Sequence, residues 1–180
     1  GEKTYTGTIR LGVTTPSFDA ETEVDNWGDE SHIDALDLES ISVAATQNLI
    51  GNLNQMPPQF SAKKVDGVTA YKAARKGKTV ALQPKAVTVV SFKINSFTQE
   101  KINGVNDKAH PVVDVDFEIV CSKGTYIRAL ARDLGERLKV GGTLTSLRRT
   151  RSGNFDVANA WDLTELLETV KSCAPATKNE

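Results

Sequence analysis

Between residues 113 and 138 the chain changes its hydrophobic period once and cleanly. Val113, Val115, Phe117, Ile119 and Cys121 alternate with Asp114, Asp116, Glu118 and Val120. That is the period-two signature of a strand with one face in a core and the other toward water. Ile127, Leu130, Ala131, Leu134 and Leu138 then recur at three- and four-residue spacing, the stripe of an amphipathic helix. Near the start, Tyr5, Gly7, Ile9, Leu11 and Val13 share one strand face and Thr4, Thr6, Thr8 and Arg10 the other. Residues 86–94 are rich in β-branched side chains, and 143–155 form a further strand region. Strands in runs with few helices and antiparallel-type connections place the chain in the α+β class.

The remaining segments read as connections and short helices. Residues 14–40 are acidic, turn-rich and without sustained period, which predicts a long loop or insertion. Ser42 is a candidate cap for a helix through about Leu49. Met56-Pro57-Pro58 forces an extended stretch, because proline restricts itself and the residue before it. Residues 59–80 read as a short strand, a turn at Asp66-Gly67 and a short helix over 70–76 stopped at Gly77. Residues 98–108 form a polar hairpin connection, mobile in expectation. Gly141-Gly142 ends the long helix, 163–170 form a last one, and a polar tail follows from Ser172.

Composition excludes several classes. The 180 residues are 39% hydrophobic and 25% charged, too apolar for a disordered chain. No run approaches the roughly 18 apolar residues that a membrane helix needs, and no leader pattern is present. Cys121 and Cys173 are too few for a disulfide framework and read as free thiols of a reducing, cytoplasmic compartment. His32 and His110 stand far from each other and from the cysteines, without metal-ligand spacing. Phosphate-binding glycine loops and nucleophile elbows are absent.

The formal net charge of −1 conceals a segregation. Residues 1–50 carry a balance of −8, and residues 61–153 carry +10. A basic block of that size is the footprint of phosphate binding, or else a lysine-rich solvated surface. Within it, Arg128 is anomalous. It falls in the first turn of the predicted helix, where a cation opposes the helix dipole. A neighbouring carboxylate or phosphate would compensate; the alternative is a side chain extended into solvent. Arg148, Arg149 and Arg151 suit bidentate phosphate contacts or a charged edge strand. As a strand, this segment would put Arg149 and Arg151 on the face of Leu147 and Arg148 on the other. Tyr5 lies in phase with the apolar face and, from its position alone, reads as a core tyrosine whose hydroxyl finds a partner. Lys63, Lys64, Lys72, Arg75, Lys76 and Lys78 interleave with Phe60 and Tyr71, a pattern that suits a folded RNA or a solvated helix face.

Taken together, four motifs resemble the TruB-type tRNA pseudouridine-55 synthases over most of the chain. Lys3-Thr4-Tyr5 with Ile9-Arg10-Leu11-Gly12 and Thr14-Thr15-Pro16-Ser17-Phe18-Asp19 is similar to the family's tyrosine motif. Gln55-Met56-Pro57-Pro58-Gln59-Phe60-Ser61-Ala62-Lys63-Lys64, with Gly67, Ala70-Tyr71 and Ala74-Arg75-Lys76-Gly77, resembles its substrate-gripping insertion. Cys121 to Arg128 with Asp133-Leu134-Gly135 resembles its arginine motif, and Leu147-Arg148-Arg149 with Ser152-Gly153 the last.

The resemblance implies a mixed, mainly antiparallel sheet with flanking helices around an RNA-binding cleft. It implies cofactor-free, metal-free isomerisation of uridine 55 in the T-loop of tRNA, with the base flipped into a pocket. Tyr5 would stack on that base and serve proton transfer at its C5. Arg128 would pair with the catalytic aspartate, and Leu147 would pack in the base pocket. Lys63, Lys64, Tyr71, Arg75, Lys123, Arg148 and Arg149 are the expected RNA contacts. The family's aspartate motif and a lysine-proline motif nearer its start do not occur here, and neither Asp19 nor Asp114 lies in a matching context. The expectation is therefore a partial catalytic domain over 1–171, with the insertion at about 53–82, a tail over 172–180 and no RNA-binding PUA domain. Such a fragment alone is expected to be inactive and to self-associate through the strand near Tyr5, from a monomeric parent. The other reading is a non-catalytic tRNA-binding or tRNA-folding module.

Overall fold

The computed structural model describes residues 1–58, 64–65, 68–69, 82–152 and 155–156, with backbone alone at 64–65, 68–69, 152 and 155–156. The expected helices at 70–76 and 163–170, the tail and Cys173 lie outside the described residues.

The main sheet is antiparallel in the order β11-β10-β1-β9-β7-β4, with β8 also paired to β9. Its strands are β1 (Lys3–Leu11), β4 (Gly51–Gln55), β7 (Lys85–Ile94), β8 (Thr98–Asn103), β9 (Ala109–Cys121), β10 (Gly142–Ser152) and β11 (Phe155–Asp156). Two small ladders stand apart: β2 (Val13–Thr14) with β3 (Asn26–Trp27), and β5 (Lys64–Val65) with β6 (Val68–Thr69). The turn expected at Asp66-Gly67 lies outside the described residues.

β9 organises the sheet. One side pairs with β1 from Val113 to Cys121, while the other is shared by β7 at Phe117–Cys121 and β8 at Ala109–Asp114. Its alternating apolar residues are buried, as the period requires. β1 therefore has partners on both sides. The open strand edge expected at Tyr5 is corrected, because those backbone groups already sit in ladders on both sides.

The helices are α1 (Glu30–Asp34), α2 (Leu38–Asn48) and α3 (Ile127–Arg137). Their buried residues Ile33, Ile41, Leu130 and Leu134 join Ile9, Leu11, Val115 and Ile119 in one core. Burying a Leu or Ile of this kind contributes about 1.5–3 kcal/mol. Where the sequence predicts only a loop over 14–40, the structure has β2, β3, α1 and the start of α2. Two aspartates are the reason. Asp29 caps α1, accepting from the Ser31 and His32 N–H groups. Asp37 and Ser40 form a capping box for α2, so that helix begins four residues before Ser42. The 98–108 connection is also corrected: β8 is a strand held through its backbone to β9. Trp27 stacks flat on His110, centroids 3.8 Å apart, clipping the β2–β3 arm to the sheet.

At the end of α3 the chain returns so tightly that a Cβ on Gly135 would collide with the Gly141 and Gly142 backbone. Lys139 and Gly141, both at positive φ, make the reversal into β10.

Candidate active-site face

β1 and β10 bring the site residues together. Gly7 lies opposite Leu147, and Tyr5 opposite Arg149, so all four share the face covered by the helices. Leu147 is buried, and Tyr5 is half-buried against the same core. A bulge between Thr4 and Tyr5 then places Arg151 opposite Thr4. Arg151 thus moves to the opposite face from Arg149, correcting the simple alternation, because one extra residue inverts a strand's facing. Arg148, opposite Thr6, is exposed on that far face as expected.

Helix α3 supplies Arg128, which is only 8% exposed. Its Nη1 donates to the Ser17 carbonyl at 3.2 Å and lies 3.5 Å from Asp19 Oδ2. The anion required to offset a cation at a helix start is therefore present within the chain, as Asp19. Sequence reasoning placed that partner elsewhere.

A compact turn delivers Asp19. The Phe18 N–H donates to the Thr15 carbonyl, and Thr15 Oγ1 donates to the Asp19 carbonyl at 2.6 Å. Phe18 holds a left-handed backbone at φ 58°, uncommon for a residue with a side chain. That conformation turns Asp19 inward, while the Phe18 ring receives the Arg132 guanidinium at 5.5 Å. The Leu144 N–H donates to the Phe18 carbonyl at 2.9 Å, so the turn is pinned to β10.

Asp19 is fully buried. Its Oδ1 accepts from Ser17 Oγ at 2.5 Å and from the Glu21 N–H at 2.9 Å. Burial pushes its carboxyl above the ordinary carboxylate range, against the lowering effects of the Ser17 and Glu21 hydrogen bonds and the Arg128 charge.

Basic groups gather where β1, β7 and β9 meet α3. Lys3 follows the facing of Tyr5 and pairs across β9 with Cys121, two residues before Lys123. Burial, then the charges of Arg149 and Lys123, hold the Lys3 ammonium below its usual range. Gly124, at φ +80°, leaves room for the Lys85 ammonium, which a Cβ there would strike. Lys3, Lys85, Lys123 and Arg149 thus form a cationic rim beside Tyr5. Cys121 lies beneath, its buried thiol pushed up to about 11.

Lys63, Tyr71 and Arg75 lie outside the described residues, as does the Lys64 side chain. Among the described residues, no three His, Cys, Asp or Glu are grouped to hold a metal ion, and no helix is long and apolar enough to cross a membrane.

Residues 1–127 match the family described as TruB family pseudouridylate synthase (N terminal domain). The chain belongs to that family. Residues 128–178 match the tRNA pseudouridylate synthase B C-terminal domain, so the boundary falls inside α3. Among curated TruB-family relatives, tRNA pseudouridine synthase B of Thermobifida fusca is 47% identical over 165 residues, covering 92% of this chain and 53% of that protein. The protein of the same name from Flavobacterium johnsoniae is 39% identical over 169 residues, covering 94% and 66%. The chain thus spans between about half and two thirds of these relatives' length. In fold, it resembles a chain from the crystal structure of a Cbf5-Nop10-Gar1 complex, with a TM-score of 0.52 at 24% identity, covering 87% of this chain and 32% of that one. The mixed α+β fold with a mainly antiparallel sheet agrees with the sequence expectation.

Proposed function

We propose that this chain is the cleft-bearing part of a cytoplasmic tRNA pseudouridine synthase that converts uridine 55 of the T-loop to pseudouridine. The observation that carries the reading is the buried Arg128, tethered to the 17–19 turn beside the face that bears Tyr5, Arg149 and Leu147.

The product has its ribose on C5 of the base instead of N1. The C1′–N1 bond must break, a C1′–C5 bond must form, the C5 proton must leave, and N1 must gain a proton. A flipped base fits this chemistry, because its C5 edge is hidden in a stacked loop. Tyr5 stacks on the base and takes part in the C5 proton transfer, while Leu147 forms the apolar wall. The nucleophile is an aspartate outside this chain. Asp19 is unsuited to that task, since a fully buried carboxylate cannot reach substrate. Arg128, held by Asp19 and Ser17, orients the nucleophile. Lys63, Lys64, Tyr71, Arg75, Lys123, Arg148 and Arg149 meet the RNA, chiefly its backbone.

The test is uridine-to-pseudouridine conversion on a T-arm stem-loop. The chain alone is expected to bind weakly without turnover, and the whole synthase to turn over. Turnover by the chain alone refutes an external nucleophile. Tight binding with no turnover by the whole protein supports the tRNA-binding module instead.

A further inference from the structure

Gln55, the last residue of β4, is 3% exposed and spends its whole carboxamide on one distant residue. Its Nε2 donates to the Tyr126 carbonyl at 3.1 Å, and its Oε1 accepts from the Tyr126 N–H at 2.7 Å. We infer that Gln55 is a positioning residue for the reaction: by pairing with both backbone groups of Tyr126 it fixes the start of α3, and with it the place where Arg128 meets the cleft. This rests on the function proposed above.

Tyr126 is the residue from which α3 departs, extended at φ −91° and ψ 109°. A helix start is ordinarily fixed by a capping side chain or by acidic residues in its first turn. Here Tyr126 makes no side-chain cap, and the first turn holds no acid but does hold Arg128. The restraint comes instead from another element, in the donor-and-acceptor pattern by which one strand meets its neighbour. Gln55 is itself held, pairing with Lys85 in the last rung of β4 and β7. Met56-Pro57-Pro58 follows, with both prolines buried, so the backbone over 56–58 is stiff.

The pairing has a chemical signature. A glutamate at 55 has nearly the same shape, but its carboxylate only accepts and would face the Tyr126 carbonyl with lone pairs. A protonated glutamic acid donates and accepts as glutamine does. Burial raises the carboxyl into an accessible pH range.

The experiment compares Gln55→Glu, Gln55→Ala and wild type in the whole synthase, with kcat and KM on the T-arm stem-loop across pH. Near neutrality, Gln55→Glu should lose about 10-fold or more in kcat with KM little changed, since small misplacements cost up to about 100-fold. Its ratio to wild type should climb as pH falls, whereas Gln55→Ala should stay low throughout. An undiminished kcat, a pH-independent deficit in Gln55→Glu, or a loss confined to KM overturns the inference. A wild type without turnover would instead overturn the proposed function. Amide hydrogen exchange at Tyr126 then decides the positioning separately: it should quicken in Gln55→Ala, which removes the acceptor of that N–H, and unchanged exchange there overturns the inference.

Discussion

Arg128 Nη1 stands 3.5 Å from Asp19 Oδ2, an oxygen with no hydrogen-bond partner among the described residues. Removing the guanidinium leaves a buried carboxyl without its counter-charge, which costs about 3–5 kcal/mol for a pair broken on one side. In the whole synthase, Arg128→Ala should lower kcat on the order of 100-fold or more, while tRNA affinity falls only a few-fold. Equal losses in single-turnover and binding assays would make Arg128 a phosphate contact instead.

Asp19 should leave a mark on the pH dependence of stability. Its folded-state carboxyl titrates above the ordinary range. Between those two values the folded chain holds more proton at this site than the unfolded chain, so its contribution is present at low pH and lost as pH rises through the raised value. The stability of wild type relative to Asp19→Asn should therefore fall with pH over that acidic window and then level off. Urea denaturation from about pH 3 to about pH 7 reads this directly; a difference that rises with pH refutes it.

The hydroxyl of Tyr5 can be separated from its ring. Tyr5→Phe keeps the packing and should change stability by at most about 1.5 kcal/mol. Turnover should fall far more than substrate binding if the hydroxyl serves the C5 proton. Retention of full turnover would confine Tyr5 to stacking.

Two cations of the rim lend themselves to a salt test. Lys123→Gln or Arg149→Gln should weaken tRNA binding and flatten its log–log salt dependence by about 0.7–0.9 per phosphate contact removed. Gly124→Ala should act similarly by displacing Lys85. Unchanged slopes in titrations at several salt concentrations would remove these residues from the RNA surface.

The parts legible in the sequence are those where burial imposes a period. β9 and α3 read plainly because each has one buried side, and Arg128 announced its need for an anion through the helix dipole. Asp19 did not read, since its position depends on a left-handed Phe18 and a tether to Leu144, which no periodicity records. β8 escaped because its side chains are mostly exposed and its order comes from backbone bonds to β9. Arg151 was misplaced by a bulge, whose single extra residue is invisible until partners are known. Gln55 opens the Gln55–Lys64 motif, yet its task shows only once β4 and α3 are adjacent.

The pinning of the 15–19 turn divides the β2–β3 arm into two kinds of sequence. From Thr15 to Asp19 the chain is registered at both ends, by the Thr15 hydroxyl in contact with Thr143 Oγ1 at 3.0 Å and by the parallel bridge of Asp19 to Leu144. An inserted or deleted residue there would rotate the carboxylate away from the guanidinium. Beyond it, Glu21 and Thr22 still bond to Asp19 and Ser17, and Asp25 bonds to Thr14, which leaves the exposed Glu23 and Val24 as the connecting stretch. Length variation among homologues should gather at 23–24 and spare 15–22, which makes 23–24 the place to graft a tag or a fluorophore without disturbing the Asp19 turn.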